Sequence, residues 1–414
     1  MNAVIVIGAG EAGLRAARSL REDGFIGTIT VLGQEPHLPY SRPPLSKRAL
    51  TSEMAFRPLA DADTLAAESI DVVLTTRVVA VDTDARVVTT NDGRVRTYTS
   101  LIFATGAIPR RLATPGADEV GVHYLRTWDD SMALKGAIIE GSRVVVIGAG
   151  FIGLELAAAA SKLGASVTVI ETLPRVLGRA VPEVLANEVA DRHRAAGVTL
   201  RLGQTIERLS GSPNGTVVHL EGGDLVIADV VIAGIGAQPE TSVAEAAGLV
   251  IDNGIAVDGF LRTSAPHVYA IGDACSFPHP LFGDRRVRLE SWRNANDHGA
   301  FVSSVILGTA TTHIGAVPWF WSDQYDGILQ VSGMPGDAVQ VVERPVERSH
   351  LLFHLAADGR LVGASSWGTN KAVSKDIRVA EMLIEARAYP DAAALANPDV
   401  NMKSLLADRL ETTE

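Results

Sequence analysis

The sequence has almost no cysteine: Cys275 is the only one in 414 residues. A lone thiol closes no internal disulfide and supplies no redox-active pair, which excludes a dithiol mechanism and points to a reducing compartment, the cytoplasm. Net positive charge is lacking too. A formal charge of −11 argues against a general nucleic-acid or anionic-membrane partner, since either calls for a cationic face. The 10 histidines are scattered, with no His and Cys cluster at metal-ligand spacing, so no protein-bound metal is expected. The opening Met1-Asn2-Ala3 runs straight into an apolar stretch without a basic region or cleavage site, and no signal peptide is read there. Residues 301–322 carry no Asp, Glu, Lys or Arg, but Ser, Thr, His and Gly residues and Pro318 interrupt them. A buried helix end followed by a loop is expected there in place of a membrane span.

What is present is a large apolar content, 47% hydrophobic against 21% charged, in a chain long enough for two or three domains. Its first 20 residues hold an apolar run, Val4 to Ile7, that enters a G-x-G-x-x-G turn (Gly8, Gly10, Gly13) and then a helical pattern at Leu14, Ala17 and Leu20. Strand, tight turn and helix in that order form a dinucleotide-binding unit: Gly8 permits the turn, Gly10 lets backbone approach a pyrophosphate, and Gly13 lets helix and strand pack closely. Thr28 to Leu32 reads as the second strand, whose end should meet the adenosine ribose; either Gln34 or Glu35 is placed for that bond.

The stretch PYSRPPLSK at 39–47 has three prolines in six residues, which predicts an extended, rigid path holding Arg42 and Lys47 in set positions. Residues 72–99 read as hairpin material around the turn Asn91-Asp92-Gly93, and an apolar strand then ends in Ala104-Thr105-Gly106. The opening pattern recurs at Arg143 to Ile147 and Gly148, Gly150 and Gly153, with Phe151, Ile152 and Glu155 in or just after the turn. Two such units imply two dinucleotides. The strand after the second turn ends at Glu171, where a carboxylate bonds a ribose 2′-hydroxyl and repels a 2′-phosphate, so NADH is expected over NADPH. Arg175 and Arg179 lie just beyond, within reach of the pyrophosphate or ribose or simply on the surface. Further apolar strands end at Gly236 and at Gly272-Asp273, the latter acid able to accept bonds from sugar-like hydroxyls or to cap a helix. From about Ile314 the pattern turns to alternating strands and then helices, near 377–385 and 403–410, a smaller closing α+β domain.

The paired glycine turns, Ala104-Thr105-Gly106, Gly272-Asp273 and the closing domain resemble the two-dinucleotide flavoprotein reductases. PYSRPPLSK at 39–47 and PWFWSDQ at 318–324 narrow the resemblance to the ferredoxin reductases of oxygenase systems, of the putidaredoxin reductase and aromatic-ring dioxygenase type, over essentially the whole chain. That resemblance implies an FAD-dependent ferredoxin–NAD(+) reductase, passing electrons from NADH through FAD to a two-iron two-sulfur ferredoxin that feeds an oxygenase. It implies FAD contacts at Gly8, Gly10, Ala12, Gly13, Arg42, Lys47, Val78, Ala104, Thr105, Gly106, Arg126, Gly272, Asp273 and Trp292. The usual ribose acid aligns with Gln34, a departure that leaves Gln34 or Glu35 for the task. NADH would meet Gly148, Gly150, Ile152, Gly153, Glu171, Arg179 and Gly236. Lys47 and Glu155 resemble an ion pair beside flavin N5, and Phe151 and Trp321 resemble the aromatics that flank the isoalloxazine.

Hydride transfer between two stacked rings needs close, dry placement and neither a nucleophile nor a metal. The expected architecture is therefore α/β: two Rossmann-like domains, one for FAD (1–109 and 240–315) and one for NAD (110–239), plus a C-terminal α+β interface domain (316–414). A monomer or weak dimer is expected. The arginines at 285, 286, 288 and 293, and the cations Lys371, Lys375 and Arg378, are candidate docking charges for an acidic ferredoxin. Rubredoxin reductases are the alternative reading. A flavoprotein of the apoptosis-inducing type is disfavoured by the acidic balance, and a thiol-dependent reductase by the lack of a cysteine near residues 39–47.

Overall fold

The computed structural model describes residues 2–52, 54–178, 181–369 and 371–407, and these form two compact units. The first comprises residues 1–41, 56–108 and 238–318. Its centre is a parallel five-stranded sheet in the order Val268–Ala270, Ser100–Phe103, Ala3–Ile7, Thr28–Leu32, Ile70–Val73. The central strands are nearly continuous apolar runs because a parallel sheet is covered on both faces; Val6, Val31, Leu101 and Ile102 are fully buried. The helices Glu11–Glu22 and Trp292–Ile306 pack on each other, with Gly299 so close to the first helix that an added Cβ would stand 2.8 Å from the Ala12 carbonyl. Asn91-Asp92-Gly93 does turn a hairpin, between Val87–Thr90 and Val95–Thr97. Val72 and Val73, read from sequence as part of it, instead close a parallel strand, since an apolar run this short does not reveal which sheet it joins.

The second unit comprises residues 42–55, 109–237 and 319–414. It holds a parallel sheet in the order Thr199–Leu202, Ser166–Glu171, Arg143–Ile147, Val230–Ala233, and an antiparallel one in the order Trp319–Gln324, Gly327–Gly333, Leu361–Gly368, Ser349–Leu355, Gln340–Val346. The helix Lys371–Glu385 packs on the antiparallel sheet. Together these elements give the expected α/β fold with Rossmann-like sheets and an α+β C-terminal part. The strand Leu361–Gly368, buried along nearly its whole length, has no alternation to mark it and was not anticipated. Of the closing helical stretch, Ser404–Ala407 is helical, and residues 408–410 lie outside the described part.

Residues 39–47 do not run extended throughout. Pro43–Ser46 forms a 3₁₀ turn with its prolines at the first positions, where the fixed φ suits a helical turn and the missing N–H is not needed. The turn leads into the short helix Arg48–Thr51, whose Leu50 is fully buried in a core with Leu134, Leu154, Val169 and Leu329. Lys47 thereby stands at a junction fixed on both sides. Leu50→Ala should destabilise this unit by about 2–5 kcal/mol through lost burial and a cavity, read as a lower urea midpoint with unchanged slope.

Candidate functional site

In the first unit the glycine turn is a matter of close approach. Gly8 has φ +114°, and a Cβ there would lie 2.2 Å from the Ala104 carbonyl oxygen; one on Gly13 would lie 2.0 Å from the Gly8 carbonyl oxygen. Any side chain at either position would push apart the strand end, the returning strand and the helix. At Gly10 an added Cβ meets nothing within 4 Å, and the helix it begins has no side-chain cap. The second unit repeats the arrangement: Cβ atoms on Gly148 and Gly153 would collide with the Gly234 and Gly148 carbonyls at 2.6 and 2.1 Å, while Gly150 opens on space and its helix, Phe151–Lys162, is likewise uncapped. Both sites therefore fit a pyrophosphate drawn to main-chain N–H groups at a helix N-terminus.

Around the first turn, Ala104 N donates to Ile7 O, Thr105 Oγ1 to Glu240 O, and Glu240 N to Gly106 O, which ties the Ala104-Thr105-Gly106 corner to the segment where the chain re-enters this unit. Ala12 lies against Gly272, whose added Cβ would stand 3.1 Å from the Ala12 Cβ. Asp273 sits within the 3₁₀ turn Gly272–Ala274 and does not cap a helix. Val78 is buried at the start of its strand, and Trp292 begins the helix Trp292–Ile306 with 42% of its surface exposed.

The two strand ends differ. Ile7 pairs with Leu32, and Ile147 pairs with Ile170, so the counterpart of Glu171 in the first unit is Gly33. A Cβ at Gly33 would meet the Ala9 Cβ at 2.7 Å, which leaves no room for an acid there. Gln34, one residue on, is exposed, and Glu35 accepts a 2.5 Å bond from the Tyr40 hydroxyl. Glu171 by contrast is clamped to its own turn: Oε2 accepts from Ala149 N at 2.8 Å and Oε1 from Leu173 N at 2.9 Å. Arg175 donates to the Gly178 and Val181 carbonyls and so ties down its loop, whereas Arg179 lies outside the described residues. The Gly236 carbonyl accepts from Arg110 N, and Ile152 is 45% exposed at the head of its helix.

The second unit also gathers the charged and aromatic candidates. Glu155 lies one turn after Phe151 on the same helix and is 5% exposed in an otherwise Ala- and Leu-rich face. Lys47 Nζ stands 3.1 Å from Glu155 Oε1, 3.7 Å from Asp323 Oδ2 and 5.5 Å from the centre of the Trp321 ring. The Trp321 indole donates to Asp323 at 3.0 Å and stacks on Trp319, while Phe151 makes an edge contact with Phe320. Burial pushes the Glu155 carboxyl above its ordinary range, and Lys47 leads the influences that oppose this. Two residues not singled out from sequence complete the shell, Ser46 and Ser322, whose hydroxyls donate to the two carboxylate oxygens. A glutamate embedded in an apolar helix was the available sign that such donors had to exist. Arg42 donates to the Arg126 carbonyl, which brings those two candidates together.

Cys275 is fully buried in the first unit beside His298, and burial raises its thiol, so it is no reactive thiolate. Among the described residues no group of three or more His, Cys, Asp or Glu is placed to hold a metal, and no helix is long and apolar enough to cross a membrane.

Two parallel sheets, each with a glycine turn fitted to a pyrophosphate and a buried lysine–glutamate pair in place of a dithiol, define a two-dinucleotide oxidoreductase. The chain belongs to the pyridine nucleotide-disulphide oxidoreductase family, which it matches over residues 2–299, and residues 319–406 match the reductase C-terminal family. It is 40% identical over 410 residues, 97% of this chain and 98% of the other, to the anthranilate 1,2-dioxygenase system ferredoxin–NAD(+) reductase component of Burkholderia cepacia. It is 42% identical over 344 residues, 82% and 89% of the two chains, to a rubredoxin-NAD(+) reductase of Pseudomonas putida. Its fold superposes on the covalent putidaredoxin reductase–putidaredoxin complex with a TM-score of 0.93 at 32% identity, over 99% of both chains. Family and relatives together imply FAD and NADH as cofactors.

Trp321→Ala should remove the ring over Lys47 and alter the charge-transfer absorbance that appears on adding NADH; an unaltered stopped-flow trace would take Trp321 out of the site. Glu171→Ala should narrow the preference for NADH over NADPH by about 1–2 kcal/mol, the scale of one charged hydrogen bond, measured as the ratio of kcat/KM values.

Proposed function

We propose that the chain is an NADH-dependent ferredoxin reductase of an oxygenase system, with FAD on the first glycine turn, NADH on the second and a two-iron two-sulfur ferredoxin as acceptor. The Lys47–Glu155 pair with its aromatic neighbours carries this reading. It supplies a charged, largely buried wall and flanking rings, which ring-to-ring hydride transfer uses, and the lone cysteine is buried and unreactive. FAD, when bound, would supply the hydride-accepting ring and the single-electron release that an iron-sulfur acceptor needs. The protein's part is to hold and orient: helix N-termini at Gly10 and Gly150 bind phosphates, Glu171 selects the ribose, and Lys47 and Glu155 fix the charge beside the reacting rings. Gln34 is our candidate for the first adenosine ribose, because Glu35 is already bonded to Tyr40. Gly8, Ala12, Gly13, Arg42, Val78, Ala104 to Gly106, Arg126, Gly272, Asp273 and Trp292 are assigned to FAD. Gly148, Ile152, Gly153 and Gly236 are assigned to NADH, with Phe151 and Trp321 as the flanking aromatics. The three-domain division at 1–109 with 240–315, 110–239 and 316–414 follows from these roles, and we place the protein in the cytoplasm as a monomer or weak dimer.

Rubredoxin is the second reading for the acceptor, favoured by the rubredoxin-NAD(+) reductase relative. The match to the ferredoxin–NAD(+) reductase component covers 97% of this chain against 82% for that relative, which favours ferredoxin. Of the candidate docking cations, Arg285 and Arg286 are both exposed on the strand Arg285–Val287, Arg286 also donates to the Val257 and Ser276 carbonyls, and Arg288 pairs with Glu290.

NADH-driven cytochrome c reduction should depend on added two-iron two-sulfur ferredoxin, and equal or greater stimulation by rubredoxin would reassign the acceptor. Arg285→Glu should raise the KM for ferredoxin several-fold, on the scale of one rim charge, and leave ferricyanide reduction unchanged.

A further inference from the structure

The shell of Glu155 does not end at Ser322. Gln324 Nε2 donates to Ser322 Oγ at 3.1 Å, and its Oε1 lies 2.8 Å from His193 Nε2; His193 Nδ1 is in turn 3.2 Å from the Tyr325 hydroxyl. Strand alternation sends Ser322 and Gln324 to one face of Trp319–Gln324, and the helix Glu183–Ala195 brings His193 to meet them. His193, Gln324 and Ser322 are each at most 1% exposed.

The chemistry of the groups sets the direction of the bonds between His193 and Glu155, and at the outer end the Tyr325 hydroxyl meets the Ser161 side chain as well as His193. An amide oxygen only accepts, so His193 carries its proton on Nε2. Burial lowers the basicity of His193 and keeps the ring neutral, which leaves Nδ1 as an acceptor for the Tyr325 hydroxyl. Burial likewise holds Tyr325 protonated, its phenol pushed up to about 12. Ser322 Oγ, having accepted from the amide, donates its one proton to Glu155 Oε1 at 2.6 Å. Four donors thus point the same way, from the partly exposed Tyr325 to the buried carboxylate. Such a file polarises each bond by the next and presents its summed dipole to the charge at its end. A carboxamide in the middle does not pass a proton along without adopting a second tautomer, so the file acts on charge and is no proton conduit.

We propose that Tyr325, His193, Gln324 and Ser322 form a positioning relay that holds Glu155 as the charged partner of Lys47 and makes that charge responsive to the Tyr325 end. The proposal rests on the reading of Lys47–Glu155 as the working pair. The charged groups bearing on it are Lys47 and Asp323 at the inner end, and Arg192 at the outer end, which lies 5.0 Å from the Tyr325 ring centre and pairs with Asp326, beside Lys162.

The test is infrared difference spectroscopy of the FAD-loaded protein across a pH series, with the Glu155 carboxyl band identified by its loss in Glu155→Gln. Ser322→Ala should make Glu155 about tenfold weaker as an acid, the scale of one buried charged hydrogen bond. Tyr325→Phe keeps the ring beside His193 and removes only the outer hydroxyl; it should weaken the acid by about two- to threefold, in the same direction. A Tyr325→Phe titration that overlays the unmodified protein, with or without a shift in Ser322→Ala, would overturn the relay. The measurement uses neither NADH nor an acceptor. A failure of the proposed function would show instead as unchanged flavin reduction by NADH in Glu155→Gln, with these titrations unaffected.

Discussion

The constraint on which the molecule depends is steric: at each glycine turn three lengths of main chain meet at distances that exclude a β-carbon. Gly8 against Ala104, Gly13 against Gly8, and their counterparts at 148, 153 and 234 leave no alternative residue. This closeness aims the first N–H groups of two long helices at one point each, so that binding an anion needs no side chain. The parallel sheets follow from the same geometry, because strand, turn and helix must return in one sense to keep every loop end on one edge.

Charge is handled quite differently at the turns and beside Lys47. At the turns the chain leaves the helix N-termini without side-chain caps and offers an anion the partial charges of main-chain N–H groups. In the second unit it buries a whole carboxylate and accepts the cost of desolvation, then offsets it with Lys47 and two serine hydroxyls. A group kept at that expense in an Ala- and Leu-rich helix is hard to explain as packing, since an apolar residue of similar size would stabilise the fold more cheaply.

The fold and the two glycine turns were legible in the sequence because they rest on local patterns: apolar run, glycine spacing, helix period. Lys47, Glu155 and Trp321 were legible only through family resemblance, since nothing in residues 39–47 or 318–324 shows that they share a neighbourhood. Ser46, Ser322, Gln324 and His193 were not legible at all. Their role is set by register, 109 residues apart for Ser46 and Glu155 and 131 for His193 and Gln324, and polar residues of these types give no sign in sequence of being buried. Strand alternation placed the Ser322 and Gln324 side chains together but could not say what they faced. The proline-rich stretch misled for a related reason: proline is equally at home in an extended segment and at the start of a helical turn.

Gly33 has an evolutionary consequence. Because its absent side chain is occupied by Ala9, giving the first turn the strand-end acid of the second requires two coordinated replacements, at 9 and at 33, each harmful or useless without the other. The likeness of the two glycine turns does not make the halves interchangeable. The first turn therefore has no single-step route to a strand-end acid at 33 while Ala9 keeps its β-carbon, and one methyl-sized contact is enough to hold the two cradles apart.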